Sequence, residues 1–305
     1  MQTKKNVNIL LFPIIVSLGM TLLLSLPVQL AAATDNSPLS IAFYYATRPP
    51  LNELQAFDIV VVDPDAVGIA PQAYKSNHSE LFAYISIGEA DPARSHFKQI
   101  KPEWLIGDNP SWKSKLVDLA NPAWRNFFLD QVVEPLWQAG YRGFFLDTLD
   151  SYQLVSDKKR HPVLTSGLIE IIRGIKQRHP EARLILNRGF EVLDRVKDVA
   201  FAVAAESLFQ NFDPATGAYG DVNENDRQWL LSRFAEVRKA GLPVIAIEYV
   251  APKDRNLARK TAEKVKALGF TPWVTDKDLA SLGIGTVEVL PRRILGLYDG
   301  SEGPD

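Results

Sequence analysis

Acidic and amide side chains stand at the ends of several short apolar runs in this sequence. These polar residues are Asp63, Glu89, Asp147, Asn187, Glu206 and Glu248. A single acid in such a position is commonly a helix N-cap or a surface group, but several in related positions indicate a shared site. Two carboxylates can hydrolyse a glycosidic bond when one protonates the leaving oxygen and the other attacks the sugar or activates water. The pattern therefore predicts a carboxylate-based active site.

The apolar runs that carry these residues predict the strands of a parallel sheet. They cover residues 41–46, 57–63, 81–89, 143–147, 183–187, 199–206, 243–249 and 271–275. Near-continuous hydrophobicity indicates strands that are covered on both faces by helices. Eight such units, separated by helical patterns, predict the α/β class and a single (β/α)8 TIM barrel. The carboxyl ends of the strands, where the polar residues fall, form the active-site face of that fold.

The connections between the runs fit the same architecture. Helical spacing of apolar residues predicts helices over residues 122–139, 162–177, 225–240 and 255–268. Only a short helix fits between the fifth and sixth runs, around residues 191–196. The connection from Glu89 to Gly143 is long, which predicts a loop excursion after the third strand on the top of the barrel. Loops in that position usually shape a substrate groove.

Side-chain alternation predicts which residues face the barrel interior. It places Asp147 and Glu206 inward, and it also places Glu89 and Glu248 inward at the ends of the third and seventh strands. Sugar rings stack on aromatic faces, so aromatic residues at or beyond strand ends are candidates for substrate contact, although each could equally belong to the core. These aromatic residues include Tyr45, Tyr249 and Trp273.

Composition and charge exclude several other functions. The chain has a formal net charge of −2 and no basic run after its first residues, which argues against nucleic-acid binding. It has no cysteine, and its four histidines show no metal-binding spacing, so we expect neither a metal nor a cofactor. No strand ends on lysine and no glycine-rich phosphate loop follows the last strands, which disfavours an aldolase-like or phosphatase-like barrel.

The two ends of the chain have separate patterns. Lys4 and Lys5 precede an apolar stretch and three alanines that end at Ala33, which predicts a signal peptide over residues 1–33 and an exported, periplasmic or extracellular product. An uncleaved membrane anchor is the alternative. We expect residues 34–299 to form the barrel domain and residues 300–305 to form a disordered tail.

Five segments of the sequence carry a resemblance to a known family. They are IAFYYATRPPLNELQAFDIVVVDP, FAYISIGEAD, GFFLDTLD, LNRGFE and AAESLF. The chain resembles the glycoside hydrolase family 114-type TIM barrel of endo-α-1,4-polygalactosaminidases, which includes the hydrolase domains of Pel exopolysaccharide modification proteins. The resemblance covers about residues 40 to 280. It implies an endo-acting hydrolase of α-1,4-linked galactosamine or N-acetylgalactosamine polymers.

The resemblance also implies the site. It places the catalytic acids in GFFLDTLD and AAESLF, so that Asp147 is the expected nucleophile and Glu206 the expected acid/base of a retaining mechanism. Retention requires carboxyl groups about 5 to 5.5 Å apart, and the apolar residues before Glu206 should raise its pKa. The predicted substrate-binding residues lie at the strand ends and just beyond them. They are Tyr45, Asp63, Glu89, Asp150, Asn187, Arg188, Glu248, Tyr249, Trp273 and Asp276.

Four outer acids bear on the charge of the substrate. We expect Glu89, Asp150, Glu248 and Asp276 to line the groove and to favour a partly deacetylated, cationic polymer, because clustered negative charge attracts ammonium groups. The alternative is that these acids only organise the loops that follow the strands.

The sequence is compatible with several partners and with two other functions. Pel-type proteins carry a deacetylase domain after the barrel, whereas this chain ends soon after its eighth strand. We therefore expect a monomer that acts on polysaccharide alone, or with a separate deacetylase or exopolysaccharide export machinery. The other candidate functions are an α-glycosidase of the same fold on a different sugar and a non-catalytic polysaccharide-binding barrel.

Overall fold

A computed structural model of the chain describes residues 39–68, 71, 74 and 79–286. The predicted signal peptide, the predicted tail and the expected domain boundaries at residues 34 and 299 lie outside these residues. Within the described part, no helix combines the length and the apolar character needed to cross a membrane.

Strands and helices alternate along most of the described chain. In chain order the strands are β1 (Ile41–Tyr44), β2 (Ile59–Val62), β3 (Glu80–Ser86), β4 (Glu89–Ala90), β5 (Leu105–Asn109), β6 (Ser114–Val117), β7 (Gly143–Asp147), β8 (Arg183–Asn187), β9 (Ala202–Glu206), β10 (Gln210–Asp213), β11 (Ala218–Asp221), β12 (Val244–Tyr249), β13 (Thr271–Thr275) and β14 (Ile284–Gly285). The α-helices are α1 (Leu51–Leu54), α2 (Pro122–Phe127), α3 (Glu134–Gln138), α4 (His161–Arg178), α5 (Leu193–Val196), α6 (Glu224–Lys239) and α7 (Arg255–Ala267). A π-helix joins α2 to α3 over Phe128–Val133. Short 3-10 helices cover Phe97–Gln99, Pro102–Trp104, Ser151–Leu154, Lys158–Arg160 and Phe190–Val192.

Eight parallel strands form the barrel wall. Backbone pairing runs unbroken through β1, β2, β3, β7, β8, β9, β12 and β13. The short strand β14 pairs antiparallel with β13 at the seam. From there the Thr286 hydroxyl donates to the Leu39 carbonyl, and the Tyr45 N–H donates to the Leu279 carbonyl. The predicted α/β TIM-barrel fold is confirmed, with β14 and these bonds joining the last barrel strand to the first.

The helices follow the predicted pattern closely. The side chains of Asn223 and Asp254 cap the first turns of α6 and α7 by accepting backbone N–H bonds. Both helices stop just before glycines in the left-handed region, Gly241 with φ 80° and Gly269 with φ 78°. The predicted helix over residues 122–139 is interrupted by the π-helix, and the short helix around residues 191–196 is α5, preceded by one 3-10 turn.

The excursion after β3 is a small sheet rather than an irregular loop. Strands β4, β6 and β5 pair antiparallel in that order. The excursion begins at Gly88, where any Cβ would lie 2.3 Å from the carbonyl oxygen of Thr148. Trp104 is buried in the excursion, whereas Trp112, at the tip of the β5–β6 hairpin, has 78% of its surface exposed.

Candidate active site

Asp147 ends strand β7 and is held by side chains from the two neighbouring strands. Its Oδ2 accepts a hydrogen bond of 2.7 Å from the Tyr84 hydroxyl, and its Oδ1 accepts one of 2.8 Å from the Asn187 side-chain amide. Tyr84 lies on β3 and Asn187 ends β8, and both strands pair with β7. The two donors fix the plane of the Asp147 carboxylate at the mouth of the barrel.

Glu206 ends strand β9, on the far side of β8 from Asp147. Its side chain is solvent-exposed, although protein surrounds the cleft in which it stands. Desolvation by that protein, followed by the charge of Asp147, raises the pKa of Glu206 to about 7. Hydrogen bonds from Tyr249 and Asn187 and the charge of Arg188 oppose this rise. Glu206 is therefore able to hold a proton near neutral pH.

Three tyrosines line the cleft between these acids. Burial raises the pKa values of Tyr45, Tyr84 and Tyr249 well above the usual range. The charge of Asp147 raises all three further, and the charge of Glu206 adds to the rise for Tyr45 and Tyr249. The three hydroxyls are therefore neutral hydrogen-bond donors across the physiological range. The rings of Tyr45 and Tyr84 meet edge to face with centroids 5.2 Å apart. We use "the cleft" for the space lined by these tyrosines, Asp147, Asn187 and Glu206.

The residues that follow Asp147 and Asn187 adopt the left-handed backbone conformation, which is uncommon for residues with a side chain. Thr148 has φ 60° and Arg188 has φ 58°. The Thr148 hydroxyl accepts the Gly88 N–H at 2.9 Å, and the Arg188 N–H donates to the Ala204 carbonyl at 2.7 Å. These bonds hold the sharp turns that leave the Asp147 and Asn187 side chains at the rim.

Arg188 and Asp150 form one edge of the cleft. The Arg188 Nε lies 3.3 Å from the Asp150 Oδ2, and the guanidinium lies over the Trp229 ring at 5.3 Å. Burial raises the pKa of Asp150, and the charge of Arg188 opposes that effect. Trp229, on α6, has 42% of its surface exposed beside this pair.

Asp63 and Asp276 lie near the cleft but are engaged by the protein. Asp63 forms an ion pair of 2.5 Å with Arg94, whose guanidinium lies 5.2 Å from the Tyr84 ring centre. Asp276 is buried and accepts the backbone N–H groups of Asp278 and Ala280, which shapes the loop after β13. Both acids support neighbours of the cleft instead of presenting free charge to it.

Glu89 does not face the cleft, contrary to the prediction. Strand β3 ends at Ser86, the chain turns at Gly88, and Glu89 begins β4 of the excursion. Its buried carboxylate accepts hydrogen bonds from the Asn109 amide at 3.0 Å and from the hydroxyls of Ser114 and Ser151. The inward residues at the end of β3 are thus Tyr84 and Ser86. The predicted alternation, which placed Glu89 inward, was shifted by one residue.

Glu248 and Trp273 are also buried away from the cleft. The Glu248 carboxylate accepts three backbone N–H groups, from residues 208, 209 and 210, at 2.7 to 3.0 Å. Tyr249, the next residue on β12, points into the cleft instead, so the alternation predicted for this strand is reversed. Trp273 is fully buried and packs edge-on against Phe57 with centroids 5.3 Å apart. Neither Glu248 nor Trp273 can contact a substrate in this structure.

These contacts correct the expectation that the four outer acids line the groove with free negative charge. Glu89, Glu248 and Asp276 are buried with internal partners, and Asp150 pairs with Arg188. The structure brings together Tyr45, Asp147, Asn187, Glu206 and Tyr249, with Arg188 and Asp150 at the edge. Sequence reasoning missed Tyr84 and Trp229. The alternation of Tyr84 with Ser86 could have identified the former, whereas no sequence signal distinguished Trp229 from a core residue.

The cleft has the parts of a two-carboxylate hydrolytic site. One carboxylate is fixed by two donors, and the other can carry a proton near neutral pH. Among the described residues, no group of three or more histidine, cysteine, aspartate or glutamate side chains is arranged to hold a metal ion. A fixed carboxylate together with a protonatable one is the combination of groups that acid-assisted glycoside cleavage uses.

The chain is similar to known glycoside hydrolases. Residues 26–294 match the sequence profile of glycoside-hydrolase family GH114. The glycoside hydrolase domain of PelA from Pseudomonas aeruginosa is 38% identical, with a TM-score of 0.75 over 81% of this chain and 98% of that domain. Ega3 from Aspergillus fumigatus, solved in complex with galactosamine, is 15% identical, with a TM-score of 0.56 over 82% of this chain and 94% of that one, and shares the fold. No significant match was found among curated proteins.

Proposed function

Because the chain belongs to glycoside-hydrolase family GH114 and is a glycoside hydrolase, we propose that it cleaves α-1,4-linked polymers of galactosamine or N-acetylgalactosamine at internal bonds. The single observation that carries the proposal is the pair formed by Asp147 and Glu206 at the mouth of the barrel. The 38% identity to the PelA hydrolase domain and the galactosamine bound to Ega3 support the sugar class. The internal cleavage and the linkage follow from the family resemblance.

We propose that Asp147 is the nucleophile. Its carboxylate is oriented by Tyr84 and Asn187, so that one oxygen can attack the anomeric carbon while the charge remains hydrogen-bonded. The bond between the anomeric carbon and the glycosidic oxygen breaks as the bond between that carbon and the Asp147 carboxylate forms. Water later breaks that bond and releases the sugar with its original anomeric configuration.

Glu206 then serves as the acid and afterwards as the base. With a pKa of about 7, it can donate a proton to the leaving oxygen and recover one from the attacking water. A separation of about 5 to 5.5 Å between the carboxyl groups suits this mechanism, whereas about 6.5 to 9.5 Å would admit a water and invert the product. NMR of the first product anomer distinguishes retention from inversion.

The setting of the activity is part of the proposal. The residues before Ala33 have the order of a secretory signal, and the related PelA domain comes from a bacterium. We infer an exported enzyme that acts on exopolysaccharide as a monomer, with or without a separate deacetylase or export machinery. The mass of the mature protein recovered outside the cytoplasm tests the cleavage after Ala33.

The experiment is incubation with defined α-1,4-linked galactosamine and N-acetylgalactosamine oligomers, followed by mass spectrometry of the products. We expect fragments from several internal positions, and no fragments with Asp147→Asn or Glu206→Gln. Cleavage of a different α-glycan but not of these oligomers would favour another sugar. Equal binding by native and variant protein without cleavage would favour a non-catalytic barrel.

A further inference from the structure

Trp112 is the most exposed large hydrophobic residue in the described part of the chain, with 78% of its surface open. It stands at the tip of the β5–β6 hairpin, where the Trp112 N–H donates to the Asn109 carbonyl at 3.3 Å and Lys113 follows in the left-handed conformation with φ 56°. An indole left in water adds nothing to the core. A single exposed apolar residue is ordinary on a protein surface, so the significance of Trp112 depends on where its hairpin places it.

The hairpin tip is fixed to the barrel by the buried Glu89 carboxylate. Asn109 and Ser114, which flank the tip on its two strands, both donate to Glu89, and so does Ser151. Ser151 lies four residues after Asp147 on the loop that leaves the catalytic strand. One buried group thus ties the tip of the β5–β6 hairpin to the loop that begins at the proposed nucleophile.

This anchoring places Trp112 on the active-site end of the barrel. The excursion leaves the carboxyl end of β3, and the Gly88 N–H donates to the Thr148 hydroxyl, the residue after Asp147. An indole offers a flat apolar face and has only two side-chain torsions to order when a ring stacks on it. The C–H faces of a hexosamine suit such a surface, and a polymer cleaved within its length extends beyond the cleavage site.

We propose that Trp112 is a distal sugar-binding platform that stacks on a ring of the same galactosamine polymer outside the cleft. The inference rests on the proposed function for the identity of the polymer. The platform strengthens the binding of long chains and leaves the chemical step to Asp147 and Glu206.

Kinetics on long and short substrates test the platform. Trp112→Ala should raise the KM for the polymer about threefold to tenfold, and leave kcat and the cleavage of the shortest accepted oligomers unchanged. Trp112→Tyr should restore most of the affinity. Leu268→Ala is the matched control, because Leu268 is an exposed apolar residue between α7 and β13, at the opposite end of the barrel. An unchanged polymer KM, or an equal loss on short oligomers, would overturn the inference.

A binding measurement separates this inference from the proposed function. The Asp147→Asn variant, with and without Trp112→Ala, is incubated with immobilised α-1,4-linked galactosamine polymer, and the bound fraction is measured. Weaker binding with Trp112→Ala supports the platform even if the native protein cleaves another glycan. Equal binding contradicts it. Active native enzyme with equal binding by both variants would leave the proposed function standing and remove the platform alone.

Discussion

Four acids at or near the ends of barrel strands have opposite surroundings. Asp147 and Glu206 stand in the cleft, where the first is held by side chains of neighbouring strands and the second is open to solvent. Glu89 and Glu248 are buried outside it, and each accepts three hydrogen bonds from the segments that surround it. The carboxylates of Asp147 and Glu206 can accept further hydrogen bonds from a substrate, whereas those of Glu89 and Glu248 are buried and bonded to the protein.

The difference lies in what each kind of carboxylate binds. Glu248 binds the backbone of the segment that leaves Glu206, and Glu89 binds the loop that follows Asp147. Buried polar groups are stable only when their partners are present, so each buried acid fixes a loop beside one of the cleft acids. The buried pair thus holds in place the segments that follow the two acids for which we propose catalytic roles.

The largest expected effect is a loss of activity that distinguishes the cleft acids from the buried acids. Asp147→Asn and Glu206→Gln should each lower kcat/KM by at least about a thousandfold, because the proposed mechanism uses each group for bond making or proton transfer. The midpoint of urea unfolding should change little. Glu89→Gln is the comparison variant and should retain most of the activity in its folded form. Substantial activity in either cleft variant would remove that acid from the mechanism.

The next largest effect is a loss of stability when a buried acid is removed. Glu248→Ala leaves three backbone N–H groups without their acceptor and should lower the free energy of unfolding by about 1–3 kcal/mol. Glu236→Ala on the exposed face of α6 removes only a surface ion pair with Arg233 and should change it by less than about 1 kcal/mol. Urea unfolding measures both, and equal losses would mean that the buried bonds contribute no more than a surface pair.

The stabilisation by Glu248 should also depend on pH. Burial raises the pKa of Glu248 to about 7 from 4.5, so between these values the folded state binds the proton more tightly than the unfolded chain. The contribution is full below pH 4.5 and is lost as the pH rises towards 7. The stability difference between native protein and Glu248→Ala should therefore shrink over this range. A constant difference would show that the pKa of Glu248 is the same in both states.

The smallest effect concerns the pH profile of the cleft pair. Tyr249 hydrogen-bonds to Glu206 and opposes the rise of its pKa, so Tyr249→Phe should raise that pKa further. Glu206 must be protonated for the first step, and kcat/KM should fall as the pH rises through its pKa. The alkaline limb should therefore move to higher pH in Tyr249→Phe. Tyr84→Phe, which removes a donor to Asp147, is the control and should leave that limb in place.

Much of the fold could be predicted because its signal is repeated along the chain. The eight apolar runs fixed the strands of the barrel, and Gly241 and Gly269 marked the ends of α6 and α7. The catalytic candidates were identified by position and by resemblance. The excursion was harder, since the pairing of β4, β5 and β6 depends on distant contacts that local patterns do not encode.

Glu89 and Glu248 were wrongly assigned to the cleft for a geometric reason. A shift of one residue in a strand exchanges its inner and outer faces. The apolar run through Ile87 continues past the true end of β3 at Ser86, so the alternation counted back from Glu89 selected the wrong face. The same exchange on β12 assigned Glu248 to the inward face, although Tyr249, which was also expected at the site, is the residue that faces the cleft. Sequence identifies an acid near a strand end more readily than the face on which it lies.

The most direct test of the different roles of the cleft acids and the buried acids is to detect a covalent bond between Asp147 and the sugar. Glu206→Gln is incubated with α-galactosaminyl fluoride, which needs no acid to leave, and the peptides are analysed by mass spectrometry. Without the base for the second step, the glycosyl-enzyme should accumulate. The peptide that contains Asp147 should then carry one galactosaminyl residue. An adduct on another carboxylate, or turnover with inversion and no adduct, would contradict the roles assigned to the cleft acids.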